Sequence, residues 1–181
     1  MAEDLKAKSG GKAIVFVRLR ENESKTRGIK AAYQTTYSYK LSRDKKSEDT
    51  KDGKVQKGGS LDGTLSLELL ASNQSVVKND LDDAINQDKE VEFWIAYTDT
   101  PGTKPGTCAG RYMRAHMTSS EETGDSDNSV SLKLEASING GYARKGDLSL
   151  DANSDTDVSY DFQDLGVVTG SEQSNNAQAP K

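Results

Sequence analysis

Cysteine, histidine and proline are nearly missing from this chain of 181 residues, which has one Cys, one His and three Pro. A single cysteine, Cys108, supports neither an intramolecular disulfide framework nor a thiolate zinc site, since both need partners within the chain. The lone His116 likewise excludes the common multi-histidine metal sites, and no cofactor is expected. With 16 Gly and three Pro the chain is neither collagenous nor proline-rich. Apolar residues are also scarce, at 33%, whereas charged residues reach 29%. Such a chain is long enough for one domain but builds a thin core, so it is expected to borrow stability from neighbouring molecules.

Long apolar runs are absent too. No segment approaches the roughly 18–20 residues that span a bilayer, so no membrane is expected as a partner. Lys6, Lys8 and Lys12 precede an apolar run, but Ala13 to Val17 is shorter than the about 7–15 residues of a signal peptide's apolar region. No export signal is therefore expected, and a reducing compartment of synthesis fits the cysteine usage. The sequons at Asn22-Glu23-Ser24 and Asn73-Gln74-Ser75 then carry no meaning.

The net charge of −5 is unevenly spread. Residues 1–60 hold 15 Lys+Arg against 8 Asp+Glu, a balance of +7, and residues 61–181 hold 9 against 21, a balance of −12. Either these are solvated loops, or the surface has opposite poles suited to head-to-tail contact between copies.

Apolar residues recur with period two along most of the chain, which predicts strands. In Ile14–Arg20, Val15, Val17 and Leu19 share one face, with Ile14 and Phe16 on the other. Ala31–Leu41 alternates through Tyr33, Tyr37 and Tyr39, and Ser60–Leu70 through Leu61, Leu65, Leu67 and Leu69. Glu90–Tyr97, Thr107–Ser119 and Asn128–Asn139 continue the pattern. Six strands suit a β-sandwich or partial barrel. Ser75–Gln87 alone changes period: Val77, Leu81, Ala84 and Ile85 fall on one helical face, Asp80, Asp82 and Asp83 lie opposite, and Ser72 or Ser75 is placed to cap its start. The expected architecture is mainly β with one flanking α-helix. Residues 1–12 form a flexible arm, 13–165 the domain, and 166–181, rich in Ser, Gln, Asn and Ala, a disordered tail. Ser42–Gly59 is a long charged segment with an Asp52-Gly53 turn signal, either a solvated hairpin or a disordered loop, and Glu121–Asn128 is an acidic hairpin turn.

Candidate chemistry is weak everywhere. Cys108 and His116 share a face of one predicted strand but stand roughly 26 Å apart at about 3.3 Å per residue, beyond bridging. Asp151, Asn153, Asp155 and Asp157 begin like a calcium loop, yet Thr156 replaces the required Gly and Phe162 the closing Glu. Gly53–Ser60 has P-loop spacing, but Gly59 stands at the Lys position and a strand follows where a helix is needed. The basic cluster Arg43, Lys45, Lys46, Lys51, Lys54 and Lys57 is interleaved with Asp44, Glu48, Asp49 and Asp52, leaving +2, which is too little for a dedicated DNA site. With 29 acidic residues, no particular carboxylate pair stands out for glycoside chemistry. The chain is not expected to be an enzyme.

One pattern is specific enough to compare. A strand Leu67-Glu-Leu-Leu-Ala-Ser, an acidic helix ending Asp82-Asp-Ala-Ile, a polar turn and Glu90-Val-Glu-Phe-Trp-Ile-Ala-Tyr follow one another, with the Thr107–Met117 strand and Ser131-Leu-Lys-Leu-Glu-Ala-Ser-Ile after them. This order resembles the major tail (tail tube) proteins of long-tailed phages of Gram-positive bacteria, over roughly residues 10–150. The resemblance implies a β-sandwich with one helix, forming hexameric rings stacked into a hollow tube that conducts DNA out of the virion. It implies assembly in the bacterial cytoplasm, a fold related to the tube of type VI secretion systems, and contacts with tape measure, terminator and baseplate proteins. Four strands from each of six subunits, spaced about 4.8 Å, give a barrel roughly 37 Å across, wide enough for duplex DNA.

Under this resemblance the helix packs through Val77, Leu81, Ala84 and Ile85 near Phe93 or Ile95, and Trp94 sits at the helix–sheet junction or a subunit seam. The basic cluster of 43–57 touches the next ring. Asp62, Glu68 and Glu135 are lumen candidates, because a channel lined by Lys and Arg would hold DNA back. Two other readings stay open: a carbohydrate-binding β-sandwich that stacks sugars on an exposed Trp94 and the tyrosines of 31–41, and the tube of a related contractile injection or secretion system.

Overall fold

Alternating apolar and polar residues become antiparallel strands wherever one face can be buried. The computed structural model describes residues 9–31, 33–71, 76–124, 126 and 129–149. In chain order the elements are β1 (Ala13–Leu19), β2 (Ile29–Lys30), β3 (Gln34–Thr50), β4 (Gly53–Leu70), α1 (Val76–Asn86), β5 (Glu90–Pro101), β6 (Thr107–Thr123), β7 (Ser131–Ile138) and β8 (Arg144–Ser149). They form one sheet in the order β2-β1-β5-β6-β7-β4-β3. β6 is long enough to hold two partners end to end: β8 along Thr107–Tyr112 and β7 along Ala115–Thr123.

The sheet rolls up on its apolar face. Val15 and Val17 of β1, Leu65, Leu67 and Leu69 of β4, Phe93 and Ile95 of β5, and Leu132 and Leu134 of β7 meet in one buried cluster. The rolled ends come together at Gln34, whose side-chain amide completes a ladder that the backbone leaves open. Its Nε2 donates to the Ala13 carbonyl at 3.2 Å, and its Oε1 accepts from the Val15 N–H at 3.0 Å. The Ala31 N–H adds a backbone bond to the Val15 carbonyl. Of the expected architectures the partial barrel is the apt description, with the two layers being halves of one continuous sheet.

α1 lies against β6, β1 and β5. Leu81 and Ala84 are buried in the core cluster, and Val77 and Ile85 pack partly buried against it. Ser72 and Ser75 lie outside the described residues, as do 1–8 of the N-terminal arm, the Asp151–Asp157 segment and the tail 166–181.

β5 is buried on both faces from Val91 to Ala96, because a second cluster covers its other side. This cluster joins Trp94, Ala96, Cys108, Tyr112 and Leu148, with Phe16 partly buried beside them. Trp94 therefore lies in the cluster on the sheet face opposite Phe93 and Ile95, not at the helix–sheet junction.

The structure decides one open alternative and extends the expected strands. The charged segment Ser42–Gly59 is continuous strand on both sides of a tip at Lys51–Asp52, so of the two expected forms it takes the hairpin and not the disordered loop. Its ladder is carried by backbone bonds with Glu48–Lys57 and Asp49–Lys54 pairs across it, and no apolar alternation marks it because neither face is buried. β2 and β8 were not expected: two residues are too few for a period, and β8 carries Leu148 as its one large apolar residue. β6 also runs on to Thr123, into the acidic turn.

Candidate assembly surfaces

A strand paired along only part of its length leaves the rest projecting. β3 and β4 pair from Gln34–Leu69 to the tip, but β4 pairs with β7 only through Thr64–Leu70. Residues 41–63 therefore leave the barrel as a two-stranded arm, about 30 Å long at roughly 3.3 Å per residue. Every residue from Leu41 to Gly58 is exposed. Arg43, Lys45, Lys46, Lys51, Lys54 and Lys57 all lie on this arm. Lys54 and Lys57 are already engaged by Asp49 and Glu48 within it, and Arg43 Nη1 donates to the Gly59 carbonyl. Lys45, Lys46 and Lys51 have no ion-pair partner among the described residues. An isolated two-stranded hairpin is marginal in water.

The arm's direction is set at its base by the turn Asn139–Gly141. Gly63 and Gly141 face each other so closely that a Cβ on Gly63 would strike the Gly141 carbonyl, and one on Gly141 the Leu61 carbonyl. Gly141 also has φ +75°, a conformation that suits glycine. The Ala143 N–H donates to Tyr39 Oη at 3.0 Å beside this crossing. The Gly140-Gly141 pair was the available sequence signal for this turn, and nothing in the sequence tied it to Gly63.

The second surface is the outer face of β3, β4, β7 and β6. Ladder partners share a face, and the rows here read Ser42–Asp62, Lys40–Thr64–Ser137–His116, Ser38–Ser66–Glu135–Ser119 and Thr36–Glu68–Lys133–Glu121. The three acidic residues Asp62, Glu68 and Glu135 are thus brought onto one polar face. Asp62, Glu68, Glu121 and Glu135 share it with Lys40, Lys133 and Arg114, the last on β6 two residues before His116: four acids against three bases. Lys133 and Glu135 are 3.7 Å apart.

The residues considered for chemistry fall elsewhere. Cys108 is buried beside Leu148, whereas His116 Nδ1 is 3.1 Å from Asp88 at the surface. Gly53–Ser60 is arm strand, exposed except at Gly59, with a further stretch of β4 and no helix directly after it. Among the described residues no group of three or more His, Cys, Asp or Glu is arranged to hold a metal ion. Trp94 is wholly buried, its ring 5.1 Å from the Arg18 guanidinium, so it offers no platform to a sugar. Sequence reasoning missed the buried charges around it. Glu92, with no exposed surface, accepts from Arg18 Nε at 2.8 Å, Arg20 Nη1 at 2.7 Å and Tyr112 Oη at 2.7 Å. Burial first, and then the charge of Glu92, push the Tyr112 phenol far above its ordinary value, so it remains a donor. Arg18 Nη1 also donates to the Glu23 and Thr26 carbonyls, which ties the β1–β2 loop to the sheet.

A rolled sheet with one helix, a projecting arm and a broad polar strand face is the make-up of a subunit that works by assembling with others. The chain belongs to the phage tail tube protein family, whose profile matches residues 7–144. Solved structures share the fold. The SPP1 tail tube is similar with a TM-score of 0.65 at 13% identity, over 77% of this chain and 79% of that one. A subunit from the sheath/tube terminator of an extracellular contractile injection system gives 0.60 at 15% identity, over 79% and 99%. The tail of a gene transfer agent particle, refined with C6 symmetry, gives 0.58 at 11%, over 76% and 98%. Comparison with curated proteins by sequence finds no match.

Proposed function

We propose that this protein forms six-membered rings that stack into the hollow tube of a phage tail, the conduit for DNA leaving the virion. The observation that carries this beyond family membership is the arm of residues 41–63, an ordered hairpin that extends from the barrel with both faces exposed over residues 41–58. Ordering so long a segment has an entropic cost that a neighbouring ring's surface offsets. Arg43, Lys45, Lys46, Lys51, Lys54 and Lys57 touch that ring, with complementary charge from the acidic remainder of the chain. A heterologous contact repeated along one axis does not close, and so makes a tube.

The polar face of β3, β4, β7 and β6 lines the lumen in this arrangement. Four strands per subunit match the 24-strand barrel of roughly 37 Å. Its excess of acid over base suits a channel through which DNA slides without specific binding. Such a subunit has no catalytic task and needs no cofactor. It is assembled in the host cytoplasm, and its further partners are tape measure, terminator and baseplate proteins.

Replacing Arg43–Lys57 by a tight Asn-Gly turn tests the arm. Folded subunits or single rings that no longer stack are expected by negative-stain microscopy, and wild-type stacking should weaken as salt rises, since exposed ion pairs contribute only about 0–1 kcal/mol each. Normal tubes from the shortened protein would refute the arm's role, and a wild-type protein that forms neither rings nor tubes would refute the function itself.

A further inference from the structure

The arm carries one apolar side chain. Between Leu41 and Leu61 every residue is polar, charged or glycine except Val55, which stands 48% exposed just past the tip. Ladder partners and residues two apart share a face, so Val55 stands with Glu48, Lys46 and Lys57. Glu48 and Lys57 satisfy each other at 2.6 Å. Lys46 has no ion-pair partner among the described residues, and it lies diagonal to Val55 across the ladder, about 7–8 Å away. This face of the arm therefore presents a branched aliphatic group and an open ammonium side by side.

A cleft of matching make-up lies between α1 and the loop that joins β1 to β2. Val17, Leu19, Ile29, Val77 and Leu81 line it, and it encloses about 300 Å³. Ile29 is 42% exposed at its edge. Arg18 reaches the cleft too, but is held by Glu92 and by the Glu23 and Thr26 carbonyls. Asp80 lines the cleft one turn along the helix from Val77 and has no ion-pair partner among the described residues. Lys89, whose charge reaches Asp80, is itself paired with Glu21. Partial burial first, and then the charges of Asp83 and Glu21, push the Asp80 carboxyl above its ordinary value, and an added cation relieves that. Cleft and arm tip stand at opposite ends of the molecule. β4 leads from the arm through Thr64–Leu70 towards α1, where Lys78 meets Glu122 near the end of β6. The arm runs the other way from Gly63, so it points away from the cleft of its own chain.

We propose that the arm of one copy seats Val55 in the cleft beside α1 of a copy in the next ring, with Lys46 paired to Asp80. This names the surface that receives the arm, and it rests on the tube function proposed above. The contact joins opposite ends of identical chains, so it propagates without closing. Apolar burial of Val55 against Ile29 and Val77 supplies attraction that salt does not screen, and the Lys46–Asp80 pair fixes which face of the arm turns inward.

The test measures the protein concentration at which the full chain forms tubes, by sedimentation and negative-stain microscopy. Val55→Thr keeps the branched shape and strand preference of the arm but brings a hydroxyl to an apolar cleft, and should raise that concentration at least tenfold. Lys46→Glu and Asp80→Lys should each do the same, and the two together should return it to the wild-type value, all with the wild-type circular dichroism spectrum. Wild-type tubes together with undiminished tubes from folded Val55→Thr, or a double exchange that assembles no better than its single variants, overturn this contact alone. A wild-type chain that never forms tubes overturns the tube function and this contact with it. If Asp80→Lys does not fold, a chain with Val55→Cys and Ile29→Cys decides the matter, since Cys108 is buried. Oxidation of its tubes by copper should link copies into ladders on a denaturing gel, where either engineered cysteine alone gives dimers at most; a double variant without ladders overturns the proposal.

Discussion

Glu92 is the residue whose replacement reports most directly on how this thin-cored subunit holds together. Its carboxylate has no exposed surface and faces Arg18, whose side chain is 1% exposed and whose Nη2 is 2.6 Å away. Replacing Glu92 by Gln keeps the shape and removes the charge, leaving the Arg18 guanidinium buried without its counter-ion. Breaking a buried pair in this way costs about 3–5 kcal/mol. For a chain of this size each kcal/mol moves the melting temperature by about 2–4 °C, so a fall of roughly 6–20 °C is expected in calorimetry of the unassembled subunit. Arg20 keeps Glu23 as a partner, which confines most of the loss to Arg18. Exchanging both members, as Arg18→Met with Glu92→Leu, should recover much of the stability, because an apolar pair of similar volume avoids the desolvation of two charges. A Glu92→Gln protein melting within 2 °C of wild type would show that water or a rearranged loop neutralises Arg18, and the reasoning would fail.

Leu81→Ala should cost about 2–5 kcal/mol, since Leu81 is buried between helix and sheet, and denaturant unfolding would reveal it. An unchanged midpoint would remove α1 from the core. Gly141→Ala should destabilise the subunit by about 1–3 kcal/mol through its left-handed backbone and the clash with Leu61, and should disturb tube formation by redirecting the arm. Asp147 accepts from the Thr103 hydroxyl and from the Thr103 and Lys104 N–H groups, and these bonds hold its carboxyl below the ordinary value of 3.8. A depressed carboxyl stabilises the fold above its unfolded pKa and loses that contribution as the pH falls below 3.8 through the folded value. The protection factors of the Thr103 and Lys104 amides, exchange measured against the unfolded chain at the same pH, should therefore fall in acid, and in Asp147→Ala already at neutral pH; equal protection in both proteins would refute the link.

Period-two alternation determined the strands that bury a face. Leu65, Leu67 and Leu69, or Leu132, Leu134 and Ala136, need only a sheet with one dry side, and any fold supplying one gives them the same burial. The helix was legible for the same reason, because spacings of three and four place Val77, Leu81, Ala84 and Ile85 on one stripe whatever they pack against. The acidic residues of the polar face were recognisable as outward-facing, though not as neighbours. Strands that bury neither face left no such trace. The arm's strand character comes from backbone pairing between residues 34–50 and 53–70, and charged side chains neither oppose nor announce it. The rest depends on contacts between residues far apart in the chain, which local pattern does not encode. Gln34 closes the roll against Ala13 and Val15, Gly63 meets Gly141, Glu92 gathers Arg18, Arg20 and Tyr112, and Arg111 finds its tyrosines on β3 and β5. Each of these is fixed by how the sheet curls and which ends it brings together, which only the tertiary structure decides.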